Sequence, residues 1–344
     1  MIKTPLRIGI VGTNFVHDWL AEAAASIDCV TVTAVYSRNQ ETGDAFAQKH
    51  HIPNVFCDFE AFLSSDVIDA VYIASPNFAH CAQTVAALNH KKHVLCEKVI
   101  AANSRELSQM MDAAKKNGCV LMEAMRPAHD PCFTLVKEQL PKLGKLRRVV
   151  LEFCQYSSRY DKFKNGEIMN AFNPDYSNAA VMDIGCYILH VAAFLFGRPK
   201  QILSTSVMLH NGFEGAGHVL LDYGDMKAEL SYSKITDSVT PSFFMGEDGT
   251  LMLDKITLPS DLRIVYHKGS PNYKNAESHE EKIPFTPVDN NMIYELADFA
   301  ALCQNGTEMH PYLEASVITL EMIDEIRRQN GIVFPSDREA DIGF

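Results

Sequence analysis

A chain of 344 residues has room for two domains of about 150 residues each. Apolar residues at 47% and charged residues at 22% sit near the globular norm, which excludes long disorder. Lys and Arg number 31 against 43 Asp and Glu, a net charge of −12. A surface that acidic repels phosphate backbones and anionic lipid, and argues against a nucleic-acid binder or a peripheral membrane protein.

The first 125 residues alternate short apolar runs with helical patterns. Leu6–Val11 reads as a buried strand and is followed by Gly12; Val16, Leu20, Ala23, Ala24 and Ile27 then recur at helical spacing. Residues 30–36 are rich in β-branched side chains, and 41–50 look helical. A strand at 70–74 is broken by Pro76 before a helix from Asn77 to His90, and a strand at 93–96 follows. Asn103 and Glu106 have capping-box spacing for a helix to about Lys116, and 120–122 closes the series. Such alternation implies a parallel sheet with crossover helices.

Beyond about residue 125 the pattern changes. Met226, Ala228, Leu230 and Tyr232 alternate with Lys227, Glu229 and Ser231, as in a sheet with one wet face. Gly224-Asp225 and Asp248-Gly249 fit two-residue hairpin turns. One long helix is expected at 179–196, and a helical stripe runs through Leu313, Val317, Leu320, Ile323 and Ile326, between Pro311 and Gly331. The polar stretch from Pro271 to Pro287 reads as a surface loop. The expected plan is an α/β nucleotide-binding domain at 1–125, followed at 126–344 by an α+β domain that is mainly antiparallel sheet. The final helix is free to pack back on the first domain.

Nine cysteines, an odd number without CxxC spacing, read as reduced thiols rather than a disulfide frame or zinc ribbon. The N-terminus lacks a signal-peptide core, and no uncharged apolar run approaches the roughly 20 residues of a membrane span. A cytoplasmic protein is expected.

Gly9-Ile10-Val11-Gly12-Thr13-Asn14-Phe15-Val16-His17 lies at a strand-to-helix junction, where backbone amides and the helix dipole hold a pyrophosphate. Gly12 fills the first glycine position of the fingerprint; Asn14 and His17 stand at the second and third. Asn14 tolerates unusual backbone angles, but its side chain narrows the approach to phosphate. The second strand ends Tyr36-Ser37-Arg38, with no carboxylate between Asp28 and Glu41 to accept from a ribose hydroxyl. A hydroxyl and a guanidinium suit a 2′-phosphate, which favours NADP over NAD. Ser75-Pro76-Asn77…His80 and Glu97-Lys98 follow two further strands, and ligands of such sheets bind outside strand carboxyl ends. Asp183, Tyr187 and His190 fall on one helical face at i, i+4 and i+7. That pattern fits a cleft, or a structural role with Asp183 capping and Tyr187 half-buried. A metal site from Asp183, Cys186 and His190 is disfavoured, because Cys186 points off that face.

Ser75-Pro76-Asn77…His80, Glu97-Lys98 and Asp183-Ile184-Gly185-Cys186-Tyr187, in this order and spacing, resemble the Gfo/Idh/MocA oxidoreductases along nearly the whole chain. The resemblance implies a Rossmann domain, an open mixed sheet through which subunits pair as homodimers or homotetramers, and NADP or NAD as cofactor. It matches Lys98 to the catalytic lysine, Asp183 to the acid that orients substrate, and Tyr187 to the proton-transfer residue. Gly12, Thr13, Asn14, Phe15, Ser37, Arg38, Ser75, Pro76, Asn77, His80, Glu97 and Lys98 then belong to the cofactor side. Departures are Val99 in place of the family's proline after Lys98, Asn14 and His17 in place of small residues, and an altered Glu123–Pro131 segment. Substrates with adjacent hydroxyls (sugars, polyols or dihydrodiols) fit such a trio, with a Lys98 ammonium favouring the Tyr187 phenolate. Two competing readings keep the fold: a redox-neutral glycosidase using NAD transiently, and a non-catalytic sensor.

Overall fold

The computed structural model describes residues 5–267, 278–306 and 309–338. They form two compact units, one running to His129 and taking in Asn290–Val317, the other running from Asp130 to Asp289 and resuming at Ile318.

In the first unit six parallel strands, β1 (Leu6–Val11), β2 (Val30–Tyr36), β3 (Asn54–Phe56), β4 (Ala70–Ile73), β5 (His93–Glu97) and β6 (Leu121–Ala124), stand in the order 3-2-1-4-5-6. This is the doubly wound order, with its switch point between β1 and β4. Crossovers are made by α1 (Phe15–Ala25), α2 (Gln40–His50), α3 (Phe59–Ser64), α4 (Asn77–Asn89) and α5 (Ser104–Asn117). Leu6, Ile8 and Ile10 of β1 are fully buried with Tyr72 and Leu95, each aliphatic side chain contributing about 1.5–3 kcal/mol. Met292, Leu296 and Phe299 of the helix Met292–Asn305 complete the same core. Gly9 lets β1 lie against α3, since a Cβ there would meet the Phe62 ring at 2.6 Å. At the start of α5 the Asn103 side chain accepts from the Glu106 amide, while the Glu106 carboxylate reaches the amide of Ala102, one residue before the expected capping-box partner.

The second unit is built on eight strands: β7 (Leu146–Cys154), β8 (Gln201–Met208), β9 (Glu214–Asp222), β10 (Lys227–Ser233), β11 (Ser242–Gly246), β12 (Gly249–Leu253), β13 (Leu262–His267) and β14 (Ser278–Lys282). Their order is 14-13-12-11-7-10-9-8, antiparallel except for the parallel β7–β10 pair. Ala228, Leu230 and Tyr232 face inward and the intervening polar residues outward. Gly224, at φ +93°, makes the expected turn between β9 and β10. The next hairpin differs from expectation. Its loop is Glu247-Asp248, because Gly249 is already paired with Tyr266 in the sheet. The segment expected as a loop from Pro271 to Pro287 contains β14, an edge strand whose Glu280 and Glu281 approach Arg263 and Tyr266 of β13; residues 271–277 lie outside the described residues.

The helix Cys186–Phe196 packs its apolar side on β7 and β10. It begins in a π-helical turn, Val181–Gly185, rather than as the regular helix expected from 179. The stretch Pro174–Phe196 is long and apolar enough to cross a membrane by length and composition, yet 78% of its apolar window is buried in the fold. That burial marks a core helix.

Candidate active site

The first unit gathers its candidate residues at the carboxyl ends of the strands. After β1, Gly12 adopts φ +114° and its amide binds the Tyr36 carbonyl of β2. Asn14 caps α1, its Oδ1 accepting from the Val16 amide at 3.0 Å. The Asn14 amide donates to Nδ1 of His17 at 2.9 Å, so the ring proton is on Nε2, which donates to the Val11 carbonyl at 2.8 Å. The imidazole is 1% exposed, and burial pushes its pKa down. A Cβ on Gly12 would sit 2.6 Å from the ring. His17 therefore fills the space beneath the turn as a neutral brace. Among the described residues, the amides of Thr13 and Phe15 bind no other group of the protein. Two unclaimed donors at a helix start suit a pyrophosphate.

At the end of β2, Ser37 is buried and its hydroxyl bonds the Asn39 carbonyl and Thr42, closing the turn into α2. Arg38 on that turn is exposed. Ser37 fixes the turn that carries the Arg38 guanidinium, a group able to pair with a phosphate.

Glu97 ends β5. Its carboxylate accepts from the Tyr72 hydroxyl at 2.7 Å and the Lys98 amide at 3.1 Å. Burial raises its pKa against the opposing Lys98 charge. The Lys98–Val99 peptide bond is cis. His80, 1% exposed in the first turn of α4, has its ring nitrogens at 3.0 Å from the Val99 carbonyl and 2.7 Å from that of Ser75. Glu123 accepts from the Ile100 amide at 2.9 Å. Thus Glu97, His80 and Glu123 hold the Lys98 segment from within, and Pro76 and Asn77 begin α4 beside it. Burial lifts Glu123 to about 7. Glu295, fully buried on the helix Met292–Asn305, carries no sequence motif, and its carboxyl is pushed well up by burial and by Glu97. Nothing in its local pattern distinguishes it from a solvated helix residue.

In the second unit Asp183 lies in the π turn and Tyr187 one turn on. Tyr187 is 7% exposed and meets Phe153 edge to face, with centroids 5.5 Å apart. The π turn is anchored by Glu214 of β9, a fully buried carboxyl that accepts from the Val181 amide (2.8 Å), the Ser206 hydroxyl (2.6 Å) and the Tyr232 hydroxyl (2.8 Å). Burial raises the Glu214 pKa. Gly185 lets the turn press on the Tyr232 ring, which a Cβ would meet at 3.1 Å. Asp183 pairs with Lys234 at 2.6 Å. Cys186 is buried, with its thiol directed to the Asp183 carbonyl at 3.6 Å. Among the described residues no three His, Cys, Asp or Glu side chains gather to hold a metal ion. Neither Glu214 nor Lys234 figured in the sequence reading.

Residues 6–125 match the family described as "Oxidoreductase family, NAD-binding Rossmann fold", and residues 139–252 match "GFO/IDH/MocA C-terminal domain". The chain belongs to the Gfo/Idh/MocA oxidoreductases. It is 42% identical to scyllo-inositol 2-dehydrogenase (NADP(+)) of Bacillus subtilis, over 97% of this chain and 99% of that protein. It is 25% identical to trans-1,2-dihydrobenzene-1,2-diol dehydrogenase of Mus musculus, over 97% and 99%. Its fold also matches a 3-ketoreductase from Actinomadura kijaniata solved with NADP and TDP-benzene, with a TM-score of 0.81 at 21% identity over 96% of this chain and 99% of that one. This Gfo/Idh/MocA protein is thus an NAD(P)-dependent dehydrogenase, and its first unit is the NAD(P)-binding Rossmann fold.

Proposed function

We propose that the protein is an NADP-preferring dehydrogenase of a small polyhydroxylated substrate, a polyol, sugar or dihydrodiol. Residues 1–125 bind cofactor and 126–344 bind substrate. The observation that supports this most is the presence of Lys98, Asp183 and Tyr187, which match the family's catalytic pattern, in a chain 42% identical to scyllo-inositol 2-dehydrogenase (NADP(+)). The open Thr13 and Phe15 amides would hold the pyrophosphate, and Arg38 the 2′-phosphate.

NADP, when bound, accepts or returns the hydride. Tyr187 takes the hydroxyl proton at its phenol oxygen as the carbinol hydrogen leaves with its electron pair and the carbonyl forms. A free tyrosine has a pKa of about 10, so the Lys98 ammonium is needed to favour the phenolate. Asp183 accepts a hydrogen bond from a second hydroxyl and orients the substrate. Nine free thiols fit a reducing compartment, and so a cytoplasmic enzyme. Leu203 and Val207, about half exposed on β8 at the sheet's edge, fit pairing of subunits as a homodimer or homotetramer.

The test is Tyr187→Phe, assayed by reduced-nicotinamide absorbance on inositols, sugars and dihydrodiols. Turnover is expected to fall about 10²- to 10⁴-fold, with NADP affinity unchanged by cofactor-fluorescence titration. Undiminished turnover would overturn the assignment of Tyr187. Net nicotinamide reduction by the native enzyme separates this reading from a redox-neutral glycosidase.

A further inference from the structure

We propose that Lys234 is the residue that positions Asp183 for substrate, a caged cation behind the carboxylate. The inference rests on the reading of Asp183 as the substrate-orienting acid.

Lys234 directly follows β10, and its backbone is fixed on both sides: its amide binds the Gly215 carbonyl, and its own carbonyl accepts from the Ser157 amide. The side chain is 3% exposed, rare for a lysine unless its charge is paired. The ammonium lies 2.6 Å from Asp183 Oδ2 and donates to the Ala171 carbonyl at 2.6 Å. The ring centroids of Phe172 and Phe213 stand at 4.9 and 5.2 Å, within cation–π range. Carboxylate, carbonyl and two aromatic faces thus surround one buried charge.

The pair is asymmetric. Asp183 remains 34% exposed while Lys234 is buried. A buried ammonium behind a partly exposed carboxylate fixes that carboxylate's rotamer and leaves its remaining lone pairs as acceptors. The Glu214 anchor and the Gly185–Tyr232 contact fix the backbone of the same turn, and Lys234 fixes the side chain. Without it, Asp183 would be free to rotate, and hydroxyl recognition would weaken. Lys234 acts through Asp183 and not on the reacting atoms.

Lys234→Met, Asp183→Asn and the double variant test this. Lys234→Met keeps the length and apolar stem between the rings; Lys234→Gln stands in if Met does not fold, as judged by circular dichroism. Expected for Lys234→Met is a kcat/KM loss of about 10- to 100-fold, the scale of a hydrogen bond to a charged group, with NADP affinity unchanged. In the Asp183→Asn background the same substitution should lose less than threefold more. A second readout uses the protein without cofactor or substrate. Asp183→Asn strands a buried ammonium and lowers the melting temperature, and adding Lys234→Met restores at least half of that drop. Wild-type kcat/KM in Lys234→Met, fully multiplicative losses, or no thermal recovery in the double variant overturns the proposal. If Asp183→Asn itself keeps wild-type kcat/KM, the reading of Asp183 fails instead.

Discussion

The turn after β1 and the π turn before the helix Cys186–Phe196 meet one problem, helix-start amides without carbonyl partners, by different chemistry. In the first unit the partners are neutral. Asn14 caps Val16, and His17 braces Asn14 and Val11. In the second the partner of the Val181 amide is the ionisable Glu214, and the charged Lys234 holds the Asp183 side chain of the same turn. A carboxylate cap after β1 would oppose the helix dipole's attraction for a pyrophosphate, whereas a neutral cap leaves it intact. No such anion is bound at the π turn in the function proposed, so a buried carboxyl is tolerated there and a second carboxylate can be displayed.

The comparison predicts unequal losses, and the largest lies in the second unit. Glu214→Leu removes the acceptor of three donors, the buried Val181 amide and Tyr232 hydroxyl and the half-buried Ser206 hydroxyl, and is expected to destabilise by about 3–5 kcal/mol in urea unfolding. Asn14→Ala removes one exposed cap and should lose about 1 kcal/mol. Equal losses would break the contrast between the two turns.

Arg38→Ala sharpens the cofactor side. Removing a guanidinium that pairs with a 2′-phosphate should raise KM for NADP about 10- to 100-fold while leaving KM for NAD within twofold. Equal changes for both cofactors would place Arg38 away from the 2′-phosphate.

Much of this was legible in the sequence, for reasons that local pattern carries. Strand runs, the Gly12 turn and the cap at Asn103 depend on near neighbours, and the structure shows each of them. The parallel β7–β10 pair was not legible, because alternation is the same in parallel and antiparallel strands with one wet face. Lys234 and Glu214 were hidden for a related reason. They read as ordinary polar strand residues, and their partners Asp183 and Val181 lie 51 and 33 residues away in sequence. Glu97, grouped on the cofactor side by resemblance, has its carboxylate engaged by Tyr72 and the Lys98 amide. A strand-end motif does not say which way its side chain turns. The π turn is held by Glu214, a non-local acceptor that no helical periodicity reveals.

The smallest effect concerns pH and separates the two turns again. Burial depresses the His17 pKa, so below its ordinary value of about 6.5 the unfolded chain binds a proton that the folded chain refuses. Stability contributed by His17 is therefore present above that value and lost as pH falls through it. The buried carboxyl of Glu214 is shifted upward and has the opposite sign, its penalty growing as pH rises above the ordinary carboxyl value. His80, His93 and His310 are also depressed by burial, so the informative quantity is a difference between proteins. His17→Asn should be less stable than the native enzyme at pH 8, with the gap narrowing toward pH 5; Glu214→Gln should show a gap that narrows, or reverses in favour of the variant, toward pH 8. Urea midpoints across that range read both slopes. A His17→Asn gap that stays constant from pH 8 to pH 5 would mean that the imidazole beneath Gly12 is not held neutral by the fold, and the contrast between a neutral and an ionisable turn would fail at its first member.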